Sequence, residues 1–408
     1  MTGRNIDEPH RSSTPLELLF DLTFVVGFGQ VAAQTARLLA EGHALPALEG
    51  FLLGMLAVCW AWVNFSWFSS AFDTDDWFFR GTTMVQMVGV LVLSLGLPTL
   101  FTSLAQGTGP DLTVMVAGYV IMRIAMVAQW LRAAAQDPTK RRIALSYALT
   151  IVIAQLGWVG LLFVHSLAIL IPSIVVVYAI EALGPLFAER KDDGTPWHAH
   201  HIAERFGLLT IIALDEGVVG TIASVSAVVQ LAGWSSEAVL IVVAGTGLTF
   251  GLWWIYFTFP AAEILHRHRE RALGWGYLHI PLFASITAVG AGLQVAALVI
   301  EGRSKIGSVG AVTIVAGAVL LFVLTLFVIY TYLTRSLDGF HGVLLVVVLV
   351  LLALAVALAS IGVSMGVCLA VVTLGPIAVV VGYETVGYRH DEAVLARVLA
   401  PAPPGAEN

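Results

Sequence analysis

Long apolar runs separated by short polar segments divide nearly the whole chain. A helix needs about 20 mostly apolar residues to cross the hydrocarbon core of a bilayer, and twelve runs reach that length. The pattern predicts an all-α membrane fold with spans at residues 16–38, 48–70, 82–104, 112–134, 143–163, 166–188, 206–230, 237–259, 277–299, 309–333, 341–360 and 362–383.

The last two predicted spans come from one apolar run between Gly342 and Tyr383. At about 1.5 Å per residue, a single helix of that length would be about twice as long as the hydrocarbon core is thick. We therefore place a break near Ser360-Ile361-Gly362, where glycine permits a tight reversal of the chain.

The basic residues are distributed unevenly between the two sides of the predicted membrane. With the N-terminus in the cytoplasm, the only basic residues in outside loops are Arg37, Arg303 and Lys305, and Arg123 lies within a span. All the other Lys and Arg residues fall on the inside. Since cytoplasmic loops carry an excess of Lys and Arg, the count predicts that both termini are cytoplasmic.

Composition agrees with lipid as the surroundings of this chain. Of 408 residues, 58% are hydrophobic and only 12% are charged, with a mean hydropathy of +0.90. A soluble domain carries about 25% charged residues. The two cysteines, Cys59 and Cys368, lie in apolar runs outside any metal-ligand pattern, which favours buried thiols. We expect the lipid bilayer and a small solute as partners, no nucleic acid and no cofactor.

The two halves of the chain contain similar sequence motifs in the same order. Aligning Glu17 with Glu204 also aligns Leu22-Thr23 with Leu209-Thr210, and a later match aligns Glu181 with Glu384. The aromatic ends of spans 2 and 8, and the basic ends of spans 4 and 10, follow in the same order. We predict tandem six-helix repeats at 16–190 and 206–388. The flanking segments are a cytoplasmic N-terminal segment at 1–15, a cytoplasmic connector at 191–205 and a disordered cytoplasmic tail at 389–408.

Ionisable side chains inside the predicted spans are the first candidates for function. Because such groups are costly in hydrocarbon, they usually face a cavity or a partner. Glu17 and Asp21 are one helical turn apart on one face of span 1, and Asp215 lies near the middle of span 7 beside Glu216. Arg123 is the only basic residue near mid-span, and we expect Asp215 or Glu216 to pair with it. A structural ion pair and a solute or proton site are both open interpretations.

Several further polar residues lie toward the cytoplasmic ends of the spans. Glu181, Glu384 and His279, together with Glu17 and Glu204, form a candidate inward-facing vestibule for protons, with interfacial caps and salt bridges as the alternative. Histidines in the segment 198–205 lack the acidic partners of a catalytic metal site, and no metal is expected.

The loop after span 2 and the aromatic residues before it have simpler interpretations. We expect Asp73, Asp75 and Asp76 to cap span 3 and to pair with Arg80, with a cation site as the alternative. Aromatic stripes end spans 2 and 8 and predict an interfacial belt, with an apolar ligand lining as the minority interpretation. They comprise Trp60, Trp62, Phe65, Trp67, Trp253, Trp254 and Phe257.

Five ordered motifs resemble the bacterial low temperature requirement A family. They are PLELLFDLTFV at 15–25, FDTD at 72–75, AERFGLLTIIAL at 203–214, LWWIYF at 252–257 and YLHIPL at 277–282. The resemblance implies a multi-spanning protein of the bacterial inner membrane and no particular activity. Where the family usually has Gly-Glu-Ser, this chain has Asp215-Glu216-Gly217, and Thr258 stands where the family often has an acid.

Three functional hypotheses follow from this sequence. The first is a secondary transporter or permease for a small solute, with proton coupling through the buried acids. The second is a membrane-embedded enzyme that acts on a lipid or isoprenoid-like substrate. The third is a sensor or scaffold without catalysis. No phosphate-cradling loop is visible, so ATP hydrolysis is not expected.

Overall fold

The computed structural model describes residues 3, 4, 8, 11–191, 193–337 and 339–400, without the side chains of 388–391 and 393. Within this part of the chain every regular element is a helix. In chain order the helices are α1 (Pro15–Ala40), α2 (Ala44–Phe72), α3 (Trp77–Ala105), α4 (Thr113–Gln136), α5 (Arg141–Leu161), α6 (Leu167–Ala188), α7 (Ala199–Ala232), α8 (Ser236–Phe257), α9 (Ala261–Arg267), α10 (Ala272–Ile300), α11 (Ser308–Thr334), α12 (Gly339–Ser360), α13 (Met365–Gly382) and α14 (Tyr388–Leu399).

Twelve of these helices are long and apolar enough to cross a membrane, counted over the residues that the structure describes. This agrees with the number predicted from the sequence, and the chain is a multi-pass membrane protein. The predicted break in the last apolar run is also present: α12 ends at Ser360, and Gly362 adopts a φ of 84° before α13 begins. That left-handed conformation is one that glycine adopts without the steric penalty of a side chain.

The helices form two compact units, which are described separately. The first unit contains residues up to 39 and 43–212, and the second contains 40–42 and 213 onward. Helices α1 to α6 and the first part of α7 therefore belong to the first unit. The rest of α7 and the helices after it belong to the second.

Glycines bring α3 and α4 of the first unit into close contact. A Cβ atom on Gly89 would lie 2.7 Å from the carbonyl oxygen of Gly118, and one on Gly118 would collide with the backbone of Leu93. Small residues at such positions allow helices to pack backbone against backbone, which is a major source of association within lipid. In the second unit, Gly220 approaches the backbone of Gly290 in the same manner, which joins α7 to α10.

In the structure, helices extend into the predicted connector and into the predicted tail. The predicted connector at 191–205 becomes helical at Ala199, because Ile202 and Phe206 continue the apolar face of α7 one further turn toward its start. The tail at 389–408 was predicted to be disordered. It instead begins with α14, whose Val394 and Val398 are buried one turn apart. Residues 401–408 lie outside the described residues.

Candidate functional site

A buried ion pair joins α4 to α6 in the middle of the first unit. The Arg123 Nη2 atom lies 3.4 Å from Glu181 Oε2, and the two side chains are 2% and 5% exposed. Arg123 also donates to the hydroxyl of Tyr119, one turn earlier on α4, and its guanidinium lies 4.5 Å from the centre of that ring. We predicted Asp215 or Glu216 as the partner of Arg123; that prediction is wrong, because Glu181 takes this position.

Aromatic donors complete the coordination of the Glu181 carboxylate. Tyr119 donates to Oε2 at 2.5 Å, and the indole of Trp158 on α5 donates to Oε1 at 3.2 Å. Trp60 of α2 contributes a further hydrogen bond. A buried carboxylate is stable only when it is paired and hydrogen-bonded, and four helices together meet that requirement here.

Two cavities lie on either side of this cluster. The Tyr119 cavity holds about 400 Å³ of empty space, its mouth included, and the Arg123 cavity holds about 240 Å³ on the same measure. The Tyr119 cavity is lined by Leu53, Ala57, Leu93, Leu112, Met115, Val116, Tyr119, Trp158 and Tyr178. The Arg123 cavity is lined by Trp60, Asn64, Arg123, Tyr147, Thr150, Ile151, Glu181 and Pro185.

The two cavities lie toward opposite ends of the first unit. Short connections make successive helices run in opposite directions, so the start of α4 and the end of α5 share one end of the bundle. Leu112 and Trp158 place the Tyr119 cavity at that end. Thr150, in the first half of α5, and Pro185, in the last turn of α6, place the Arg123 cavity at the other. The ion pair therefore lies between the two cavities along the bundle.

A second buried cluster joins α1 and α2 to the first part of α7. Arg205 Nη1 lies 3.0 Å from Glu17 Oε1, and its Nη2 lies 2.5 Å from Asp21 Oδ1; none of the three side chains is more than 1% exposed. His201, one turn before Arg205, lies 3.1 Å from Glu17, and the Trp62 indole donates to Asp21 at 2.7 Å. Glu17 and Asp21 thus share a face, as their spacing predicts.

The segment before α1 covers one end of this cluster. Arg11 donates to the backbone carbonyls of Ser69 and Ser70 at the end of α2, and burial lowers the pKa of Arg11 to about 10. The backbone N–H of Thr14 donates to Glu17 Oε2 at 2.8 Å. The segment before α1 therefore closes the Arg205 cluster on this side.

The acidic loop connects the start of α3 to the end of α4. Asp76 caps α3 by accepting the N–H groups of Phe78 and Phe79, and it forms a two-point ion pair with Arg132. Asp75 pairs with Arg80 at 2.8 Å. Burial raises the pKa of Asp73, whose Oδ1 accepts the backbone N–H of Asp75. These contacts account for the loop through helix capping and ion pairing. In the described part of the chain, no group of three or more His, Cys, Asp and Glu is placed to hold a metal.

Four of the candidate residues belong to the second unit. Glu216 is buried, and in the described structure its Oε2 has no hydrogen-bond partner, whereas Asp215 is exposed. His279 is buried with Nδ1 2.8 Å from the carbonyl oxygen of Trp275, so that this nitrogen is the donor, and Nε2 is 3.0 Å from the Tyr256 hydroxyl. Glu384 is exposed and accepts the Trp254 indole N–H at 3.0 Å.

The aromatic stripes of α2 and α8 differ from each other. Trp62 and Phe65 are fully buried, whereas Trp253 and Trp254 are each 38% exposed. The belt predicted for both stripes is therefore wrong for α2, whose indoles donate hydrogen bonds to the buried carboxylate of Asp21 and the half-buried carboxylate of Glu189. Buried indole N–H groups need such acceptors.

Sequence reasoning missed four residues of the two clusters. Tyr119, Trp158, His201 and Arg205 were not proposed as site residues, and Arg205 counted only as a cytoplasmic charge. The available signal was spacing, since Tyr119 precedes Arg123, and His201 precedes Arg205, by one helical turn. Glu204, which was proposed as a site residue, is exposed. Its carboxylate accepts a hydrogen bond from the backbone N–H of Ser13.

Twelve apolar helices with ion pairs buried among them define a polytopic α-helical membrane protein. Residues 12–375 match the model of the bacterial low temperature requirement A protein (LtrA) family, and the chain belongs to that family. None of the curated proteins and none of the solved structures compared matches the chain.

Proposed function

We propose that this LtrA-family protein is a secondary transporter of the bacterial inner membrane, which moves a small solute together with protons through its first unit. The observation that carries the proposal is the Arg123–Glu181 pair, which separates two cavities that lie toward opposite ends of one bundle. Buried ionisable groups in membrane spans are rare, and they commonly mark ion and substrate paths.

The Arg123–Glu181 pair supplies both a barrier and a means to open it. In the closed arrangement, the ion pair and the Tyr119 hydroxyl bridge α4 and α6. Protonation of Glu181 removes its charge, and the attraction that holds the guanidinium across the path is lost. Arg123 keeps its charge at any physiological pH and is then available to a solute. Opening toward one side and closing toward the other completes a transport step.

Two arrangements predicted from the sequence fit this proposal. We propose that the two halves are parallel repeats, an organisation of known transporters, and that both termini are cytoplasmic. The helix pairs support a repeat: α3 packs with α4, α4 with α5 and α5 with α6 in the first unit. Their counterparts α10 with α11, α11 with α12 and α12 with α13 pack in the second.

The cavities favour transport over the other two hypotheses. A sensor or scaffold needs no cavity next to Arg123, because close packing around the ion pair would be sufficient. Arg123 instead lines a cavity. An enzyme acting on a lipid requires an acid or base at an opening toward lipid, and the carboxylate of Glu181 is instead enclosed by four helices.

Thiol accessibility tests the two-sided path. In a Cys59→Ala, Cys368→Ala background, Leu53→Cys places a thiol in the Tyr119 cavity and Thr150→Cys places one in the Arg123 cavity. A membrane-impermeant maleimide is applied to vesicles of each orientation. We expect the two thiols to react from opposite sides, whereas Ala154→Cys, at a fully buried position on the same helix as Thr150, stays unlabelled. Absence of labelling at both cavity positions would refute the path.

Proteoliposomes with an internal pH dye test the coupling. Small solutes are added under an imposed pH gradient, and dye response and solute uptake are followed together. We expect wild-type protein to accumulate a solute with the gradient and Glu181→Gln to lose this gradient dependence. A solute that accumulates equally with both proteins contradicts proton coupling through Glu181.

A further inference from the structure

Arg123 has hydrogen-bonding capacity that its protein partners leave unused. Its Nη2 atom contacts Tyr119 and Glu181, but among the described residues neither Nε nor Nη1 has an acceptor, although both atoms are buried. A buried donor without an acceptor carries a desolvation penalty, and guanidinium donors are held strongly by oxyanions. An oxyanion with access to this position would therefore bind to it.

The Arg123 cavity provides such access. It holds about 240 Å³ of empty space, with its mouth and the open space in front of it included, so only a small solute fits beside Arg123. Arg123 and Glu181 form one part of its wall, Asn64 and Thr150 add polar groups, and Ile151 and Pro185 add an apolar surface. A short carbon chain with one charged end matches this lining.

We propose that the Arg123 cavity binds a small carboxylate anion, which replaces Glu181 on the guanidinium while Glu181 takes up a proton from the same cavity. The proposal rests on the transport function proposed above and names its substrate class. A soluble carboxylate is the same chemical group that Arg123 already holds in Glu181, and it can also accept from the Nε and Nη1 donors that Glu181 leaves unused.

The charges balance in both states of this exchange. In the empty state, the guanidinium and the Glu181 carboxylate cancel. In the loaded state, the solute carboxylate cancels the guanidinium and Glu181 is a neutral acid, which has gained a proton on one carboxylate oxygen. One anion and one proton thus enter together, and transport of a monocarboxylate is electroneutral. An uncompensated charge in a membrane interior is costly, and the exchange avoids one at each step.

The groups around Glu181 are compatible with a single titrating carboxylate. From α4 it faces Arg123 and Tyr119, from α5 the neutral indole of Trp158, and from α2 the indole of Trp60. Tyr178 on α6 interacts with Glu181 and with Cys59 on α2, and Tyr147 lines the same cavity as Glu181. Tyrosine and cysteine remain neutral up to pH values of about 8 or higher, so Glu181 is the group of this set that is left to exchange protons.

Calorimetry on the full-length protein in nanodiscs tests the binding step without transport. The probes are acetate, propionate and lactate, with inorganic phosphate, sulfate and chloride as competing anion classes. Titrations in two buffers of different ionisation enthalpy count the protons taken up. We expect a carboxylate to bind with uptake of about one proton per anion at pH 7, since the loaded state holds a protonated Glu181. Preferential binding of phosphate or sulfate overturns the assignment of a carboxylate.

Three variants locate the binding at this site. Glu181→Gln should bind the same probe with no proton uptake, because the amide cannot titrate. The doubly neutral Arg123→Gln, Glu181→Gln variant leaves no unpaired buried charge and should lose affinity by at least about tenfold, as loss of a charged hydrogen bond implies. Arg132→Gln, on the same helix but paired with Asp76 outside the cavity, should bind as wild type does. Unchanged affinity in the double variant overturns the proposal.

The outcomes separate this inference from the transport proposal. Carboxylate binding with proton uptake, but with no thiol access from either side, would leave the anion site in place and refute transport. Two-sided thiol access, with no carboxylate binding and with gradient-driven uptake of neutral or cationic solutes, would leave transport in place and refute the anion.

Discussion

Arg205 is a single buried cation that holds two buried carboxylates in the first unit. Its guanidinium faces Glu17 and Asp21 on α1, and all three side chains are withdrawn from solvent. Without Arg205, two carboxylates one turn apart would remain close together in a medium of low dielectric constant. The role of Arg205 is therefore to make the start of α1 compatible with burial.

Arg205→Gln tests this role. Removal of one partner from a buried pair typically costs about 3–5 kcal/mol, so we expect a large fall in unfolding temperature and in the yield of monodisperse protein. Neutralising the partners as well, with Glu17→Gln and Asp21→Asn, should recover much of the loss because no unpaired charge remains. Arg80→Gln, which breaks an exposed pair with Asp75, is the matched control and should have little effect. A small effect of Arg205→Gln alone would contradict the assigned role.

The sequence identifies individual charged residues better than it identifies their partners. Arg123 and Glu181 were each found because they interrupt apolar runs, yet the predicted partner of Arg123 lay on span 7. Partner choice depends on which helix faces lie together, and periodicity within a span does not encode that. Arg205 was missed for a different reason. The polar residues around it are typical of a loop, but Ile202, Phe206 and Leu209 continue the buried face of α7.

At the scale of the helix, the contact between α3 and α4 leaves no room for side chains at Gly89 and Gly118. Gly118→Ala adds one methyl group against the backbone of Leu93, and the two helices must separate to accept it. We expect a lower unfolding temperature for this variant in detergent. Gly160→Ala on α5 is a matched control, because a Cβ atom there has nothing within 4 Å. Equal stability of the two variants would show that the close approach of α3 and α4 is not needed.

The start of α3 provides a prediction with a defined pH dependence. The hydrogen bond from Arg132, together with the helix N–H groups, lowers the pKa of Asp76 below its usual value near 4. Such a group contributes stability above its unfolded-state pKa, and the contribution is lost as pH falls through the lower folded-state pKa. Asp76→Ala should therefore destabilise the protein at pH 7 by about 0.5–2 kcal/mol, the usual cost of a lost cap.

Asp76→Asn separates the cap from the charge. Asparagine accepts the same N–H groups but does not attract Arg132, so this variant should lose less stability than Asp76→Ala at pH 7. The difference between wild type and Asp76→Asn should shrink as pH falls below about 4, where the aspartate of the unfolded chain begins to be protonated. Thermal unfolding measured across this range checks the sign, and a difference that grows in acid would contradict it.

Helix number and the break at Ser360 were predictable because apolar length and glycine placement determine them locally. The ends of the helices were less predictable from the sequence. The first turns of α7 and the whole of α14 carry many polar residues, and both are helical because a few apolar positions one turn apart, such as Val394 and Val398, are buried. Mean hydropathy over a span cannot detect an amphipathic extension of this kind.

At the scale of the whole molecule, the proposed transport function requires a defined direction, and this depends on topology. The excess of basic residues in alternate loops favours cytoplasmic termini, and the Arg123 cavity would then open to the cytoplasm. A proton taken up by Glu181 from that side would leave through the Tyr119 cavity. Topology is therefore a functional prediction as well as a structural one.

Reporter fusions test that topology in cells. A fluorescent protein joined after Leu399 should be fluorescent if the tail is cytoplasmic, and alkaline phosphatase at the same point should be inactive. Phosphatase inserted after His165, between α5 and α6, should be active because that loop follows an odd number of spans from a cytoplasmic N-terminus. Active phosphatase after Leu399 would show that the chain has the opposite orientation in the membrane. The Arg123 cavity would then face the periplasm, and inward proton movement would begin at Glu181 from the side where protons are abundant.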